Sequence, residues 1–159
     1  MNQSKMSMML KGIDLTIGFM GAVFLLWILP MLADEFRIIY VDAAYLYYPG
    51  ICFFWGIGML GYIALYRFWR ICVEIGKDNS FSKENIHSLN IISVLAVIAA
   101  ILWFMGIVVL VVLEVICVNL FVIMGIFSFV SICICVVSIV LAHLVEKAYL
   151  LKVENELTI

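Results

Sequence analysis

The chain has 159 residues, 67% hydrophobic and 13% charged, against roughly 45–50% and 25% in an ordinary soluble domain, so a soluble globular protein is excluded. A mean hydropathy of +1.25 with 14% aromatic residues also excludes intrinsic disorder, which needs a chain too polar to bury a core. The net charge of −2, with no basic stripe or nucleic-acid-binding motif, gives no basis for direct nucleic-acid contact.

Backbone groups in hydrocarbon are satisfied only by helices or closed barrels, and the alternating strands of a barrel are absent. Four apolar stretches therefore read as helical spans of about 20 residues each. The first covers residues 13–32, too long for the apolar core of a signal peptide, with Pro30 and Asp34 marking its end. The second covers 44–66, bounded by Tyr45, Tyr47 and Tyr48 at one end and by Tyr66 and Trp69 at the other, two aromatic belts. Pro30 and Pro49 read as ordinary terminators near helix ends. The only substantial loop is 74–90, and the third span, 91–113, starts inside it. Ser82 is placed as an N-cap, Glu84 stands in the first turn, and Phe81 and Ile86 occupy the positions of a hydrophobic staple. A helix continuous from Lys83 is about 46 Å long, so its first two turns stand in water. After a tight turn around 114–118 the fourth span, 119–144, runs on into 146–159. The expected fold is all-α: a single integral membrane domain, a four-helix bundle with cytoplasmic extensions of helices 3 and 4.

Lys5, Lys11, Arg67, Arg70, Lys77, Lys83, Lys147 and Lys152 fall on one side of this topology and only Arg37 on the other. The positive-inside rule then places both termini and the middle loop in the cytoplasm. The outer face, 34–42 and the turn at Glu114, is too small for a folded receptor.

The fourth span carries a heptad seam of small residues, Gly125, Ser128, Ser131, Cys135, Ser138 and Ala142, of the kind that lets helices approach closely in a bilayer. Gly18 and Ala22 on the first span, and Gly58 and Gly61 on the second, offer partial counterparts. Two readings stand: packing inside the bundle, or a homodimer or partner-helix interface. The five cysteines include no C-x-x-C pair; Cys133 and Cys135 point about 200° apart on a helix. Cys52 and Cys117 both fall near the outer ends of their spans, but small apolar packing fits all five better than disulfide exchange.

Asp14 and His143 are the polar candidates within or at the edge of spans. Asp14 reads as an interfacial residue paired with a lysine or arginine of a neighbouring span, or else as a ligand or proton site. His143 beside Glu146, with His87, makes no carboxylate cluster at ligand spacing, so no metal and no cofactor is expected. No P-loop, HExxH, GxSxG or EF-hand pattern occurs, and no catalytic residue is assigned. The tail beyond the fourth span keeps helical spacing, with Tyr149, Leu150, Val153 and Leu157 near one side. An apolar stripe in water needs a cover: the membrane surface, the extension of the third helix, or another protein.

The segment Asn79-Ser80-Phe81-Ser82-Lys83-Glu84-Asn85 before the third span, and the ending Glu154-Asn155-Glu156-Leu157-Thr158-Ile159, resemble a family of small bacterial membrane proteins known only as a domain of unknown function. Its members are similar in having four predicted spans, a phenylalanine-serine/threonine-x-glutamate-asparagine type motif before the third, and an end close to E-N-x-L-T-I. The resemblance covers essentially the whole chain and supplies no catalytic residue. Because members are often encoded beside a very small Cro-type helix-turn-helix regulator, it implies a cytoplasmic protein partner and a bacterial cytoplasmic membrane.

Residues and resemblance together give the first expectation, a non-enzymatic interaction or regulatory module presenting Phe81, Ser82, Glu84, Asn85, Tyr149, Leu150, Val153 and Leu157 to a partner. The alternatives are a small exporter or self-protection protein against a membrane-active compound, or an accessory subunit of a membrane complex.

Overall fold

The computed structural model describes residues 3–115 and 117–157, without the side chains of 156 and 157. Among these there is no strand, and the chain is helical apart from Tyr40, the turn at 77–82 and residues 113–115 and 117. Four long apolar rods form a helical membrane bundle: Gln3–Ile39, Val41–Gly76, Lys83–Val112 and Val118–Asn155. The first is α1 (Gln3–Val23), a single π turn (Phe24–Ile28) and α2 (Leu29–Ile39); a 3₁₀ turn (Val41–Leu46) leads into α3 (Tyr47–Gly76), then α4 (Lys83–Val112) and α5 (Val118–Leu157).

Pro30 does not end the first helix. Proline lacks the N–H that would bond the carbonyl one turn back, and its ring crowds that carbonyl. The chain widens into a π turn just before it, in which the Leu29 N–H bonds the Phe24 oxygen, and the helix continues for about three more turns, to Ile39. The widening leaves the Leu25 carbonyl without either of its intrahelical donors, because Leu29 is engaged and the next residue is Pro30. Trp55 of α3 supplies the missing donor, its indole Nε1–H reaching the Leu25 oxygen at 3.0 Å. Pro49 likewise ends nothing, since it sits in the first turn of α3, where its missing N–H costs no helical bond.

Helix ends also depart from expectation. α3 and α4 both stop in Schellman turns. Asn79 N–H bonds the Glu74 oxygen and Asp78 N–H that of Ile75, while Val115 bonds Leu110 and Glu114 bonds Val111. The left-handed positions, normally glycine, are Asp78 at φ 62° and Glu114 at φ 57°.

The helices lie side by side in the order α1, α3, α4, α5. Among the described residues, no Cα of α1 comes within 8 Å of α4 or α5, and none of α3 within 8 Å of α5. The exposed area, 10763 Å², exceeds the about 8,000 Å² expected of a compact soluble chain of this mass, consistent with this open row. Lipid covers the excess apolar surface.

Two kinds of contact hold the row. Between α1 and α3, side chains bond backbone carbonyls across the interface: Ser7 Oγ to Cys72 O at 2.6 Å, Tyr62 OH to Gly18 O at 2.7 Å, and Trp55 to Leu25. Gly18 and Gly58 belong to this interface, facing Leu65 and Leu25, and a Cβ at Gly61 would meet nothing within 4 Å. None of them is the counterpart of the α5 seam. At the centre Trp103 of α4 joins three helices, its ring edge-on to Phe53 and Phe54 of α3 and stacked on Phe127 of α5 at 5.2 Å.

Candidate functional site at the basic end

The start of α1, the α3–α4 turn and the tail of α5 converge at one end of the molecule, which carries every lysine and arginine except Arg37. The turn is built from its own polar side chains. Glu74, two turns beyond the aromatic belt at Tyr66 and so outside the hydrocarbon, accepts from Lys77 Nζ at 2.8 Å and Asn79 Nδ2 at 3.0 Å. These donors hold its carboxyl below the ordinary carboxylate range. Asn85 Nδ2 donates to the Ser80 oxygen at 2.9 Å, and Ser82 Oγ accepts the Asn85 N–H at 3.2 Å as the N-cap of α4. Ser80 Oγ in turn lies 3.4 Å from Gln3 Oε1 of α1.

This network corrects part of the expected interaction surface. Ser82 and Asn85 are 3% and 2% exposed; Ser82 Oγ and Asn85 Nδ2 are engaged inside the turn, and Asn85 Oδ1 is buried there with no hydrogen-bond partner, so neither side chain is presented at the surface. Phe81 and Glu84 are exposed. On the facing tail Tyr149 and Val153 are half-buried and Leu150 is exposed, while the side chain of Leu157 lies outside the described residues. Tyr149 packs beneath Lys83, whose ammonium stands 5.7 Å from the ring centroid, a cation–π contact that ties the two extensions together. Between them runs a groove of about 360 Å³ whose walls include Lys83, His87 and Asn90 of α4 and Glu146 and Tyr149 of α5. Sequence reading did not find it, because it exists only once the two extensions pair.

The small-residue seam of α5 faces α4. Cys135, Ser138 and Ala142 are buried and Ser128 and Ser131 half-buried; Ser128 Oγ reaches the Ala100 oxygen at 3.5 Å, and Ser131 Oγ bonds back to Phe127 O at 2.8 Å. Gly125 is not part of the contact, since a Cβ there would meet nothing within 4 Å. Its neighbour Met124 takes that place, its methyl against Gly106 of α4.

Asp14 is 7% exposed on the α3-facing side of α1, and its Oδ1 has no hydrogen-bond partner. The expected ion pair with a neighbouring span is not made. Lys11 one turn away instead stands over the Trp69 ring at 5.5 Å. His143 is exposed on α5, whereas His87 lines the groove. The five cysteines are free thiols, with Cys117 against the Tyr40 hydroxyl at the opposite end of the molecule. Among the described residues no three His, Cys, Asp or Glu side chains come together at metal-ligand spacing.

The chain matches a family described as "Protein of unknown function (DUF2975)" over residues 31–159 and belongs to it. No curated protein and no solved structure matches. The matched region runs from α2 to the end of the chain, so it includes both extensions that form the groove.

Proposed function

We propose that this protein is a non-enzymatic regulatory module of a bacterial cytoplasmic membrane, with its basic end in the cytoplasm, where it docks a small soluble protein. The observation that carries this reading is apolar surface outside the hydrocarbon. Tyr149 pairs with the first residue of α4, so residues 150–157 project about 12 Å past it. On and beside that projection Leu151 and Phe81 are 61% and 49% exposed. Large apolar side chains grouped in water mark an interaction site. The concentration of lysine and arginine at this end supports the cytoplasmic placement. The family resemblance supports a Cro-type helix-turn-helix regulator as the partner.

The test is in-cell photocrosslinking from residues placed at Phe81 and Leu151, followed by mass spectrometry. One soluble protein attached from both positions, and lost in a Leu151→Ser variant probed from Phe81, is the expected result. Crosslinks confined to the chain itself would overturn the reading.

A further inference from the structure

The groove between α4 and α5 lies at a depth that its own residues define. On α4 the last polar residue before the apolar run is Asn90, and on α5 the first charged residue after it is Glu146. From Asn90 to Lys83 the wall descends about 10 Å at 1.5 Å per residue. The polar headgroup layer of one leaflet is about 5–8 Å thick. The groove therefore opens into the headgroup layer, on whichever side of the membrane this end stands.

Its walls carry opposite chemistry. The α4 wall presents donors, the Lys83 ammonium, the His87 ring and the Asn90 amide. The α5 wall presents the Glu146 carboxylate. Ile86, half-buried, and Leu150, exposed, supply the apolar lining. A purely anionic headgroup would be drawn to Lys83 but repelled by Glu146. A zwitterion is attracted by both walls.

We propose that this groove binds a phospholipid with an ethanolamine headgroup. The phosphate lies against Lys83, His87 and Asn90, and the ammonium reaches across to Glu146. A primary ammonium donates up to three hydrogen bonds to a carboxylate, which a choline headgroup, with no N–H, cannot do. The Lys83 ammonium, 5.7 Å from the Tyr149 ring centroid, links the two walls of the groove. This assignment is separate from the soluble partner proposed above, which takes the projecting tip of α5 and Phe81.

The test uses the full-length protein in detergent micelles, titrated with palmitoyl-oleoyl phosphatidylethanolamine, phosphatidylglycerol or phosphatidylcholine and read by native mass spectrometry. Retention of the ethanolamine lipid about fivefold above the other two is expected, the upper range for a partly exposed charge pair. Glu146→Gln is expected to erase the preference over phosphatidylcholine, and Lys83→Gln to lower retention of all three lipids. Both side chains are exposed, and an unchanged thermal midpoint of each variant shows that the fold is intact. Equal retention of the three lipids, or an ethanolamine preference that survives Glu146→Gln, would overturn the assignment. A photoreactive residue replacing Leu150 in cells gives the second reading: a lipid adduct supports the site, and protein adducts alone overturn it.

Discussion

Replacing Trp55 with phenylalanine removes the donor that serves the Leu25 carbonyl and leaves most of the ring's packing in place. That carbonyl is orphaned by two facts of its own helix: the Leu29 N–H bonds Phe24, and Pro30 has no N–H. Hydrogen bonds between helices in bilayers are worth on average about 0.6 and at most about 1.7 kcal/mol. A buried acceptor left unpaired costs about 1–3 kcal/mol. Trp55→Phe should therefore destabilise the protein by about 1–2 kcal/mol. The diagnostic experiment is a cycle with Pro30→Ala. Alanine restores an N–H to the helix, so the helix itself can reach the carbonyls that proline leaves bare. In that background Trp55→Phe should lose about 1 kcal/mol of its cost, about a fivefold change in the unfolding constant. The assay is reversible unfolding in mixed detergent micelles, followed by loss of helical circular dichroism in all four cycle members. If the two substitutions are additive within about 0.3 kcal/mol, the indole does not compensate for the proline and the account of the π turn fails.

A Cβ at Gly106 would press on the Met124 methyl and lie 2.9 Å from the Phe53 ring, while one at Gly61 meets nothing. Gly106→Ala should therefore cost about 1–3 kcal/mol, and Gly61→Ala should be neutral or stabilising by up to about 1 kcal/mol, both read by the same unfolding assay. Glu114 holds a left-handed conformation at φ 57°, so Glu114→Gly should stabilise by about 1 kcal/mol, and a lowered midpoint would contradict the Schellman turn. Glu74 is held below its ordinary range by Lys77 and Asn79, so its contribution is present above the unfolded value and is lost as the pH falls through the folded one. Glu74→Gln should flatten the acid limb of the stability profile below the carboxylate range. The effect will be small because the pair lies at the surface, with its Lys77 partner exposed.

The membrane class, the helix start at Lys83 and the buried positions Cys135, Ser138 and Ala142 were legible because each rests on a local rule. Composition decides the solvent, Ser82 caps the nearest free N–H groups, and a heptad of small residues must face a neighbour. What failed to be legible depends on a second helix. Pro30 reads as a terminator because a lone helix in water ends there, yet in hydrocarbon a donor from α3 makes continuation possible. A small residue announces close approach but not the partner, so Gly18 and Gly58 gave no sign that they face each other's helices. The turn motif was misread for a related reason. Ser82 and Asn85 looked like surface polar residues, but in the folded turn Ser82 Oγ accepts the Asn85 N–H and Asn85 Nδ2 reaches the Ser80 oxygen, which draws both inward. The turns at 74–90 and 114–118 were legible, but the left-handed step at Asp78 and Glu114 was not, because neither is glycine and backbone bonding alone fixes it.

The row has two interfaces of different character, and the difference bears on how the basic end works. Hydrophobic burial does little to join helices already in lipid, so directional bonds and close packing must do it. The α1–α3 interface uses bonds to carbonyls, and its last one, Ser7 to Cys72, lies next to the turn that Gln3 and Ser80 also join. The α4–α5 interface uses small residues in close contact, and its continuation beyond the membrane forms the walls of the groove. The α3–α4 turn connects the two, since Asn85 of α4 bonds Ser80 while Ser80 meets Gln3 of α1. A headgroup that spreads or draws together the groove walls therefore acts on Lys83, two residues before Asn85 in the first turn of α4. That same turn sits beside Phe81 and the projecting tip of α5, so the proposed headgroup and the proposed soluble partner would both act on one short segment.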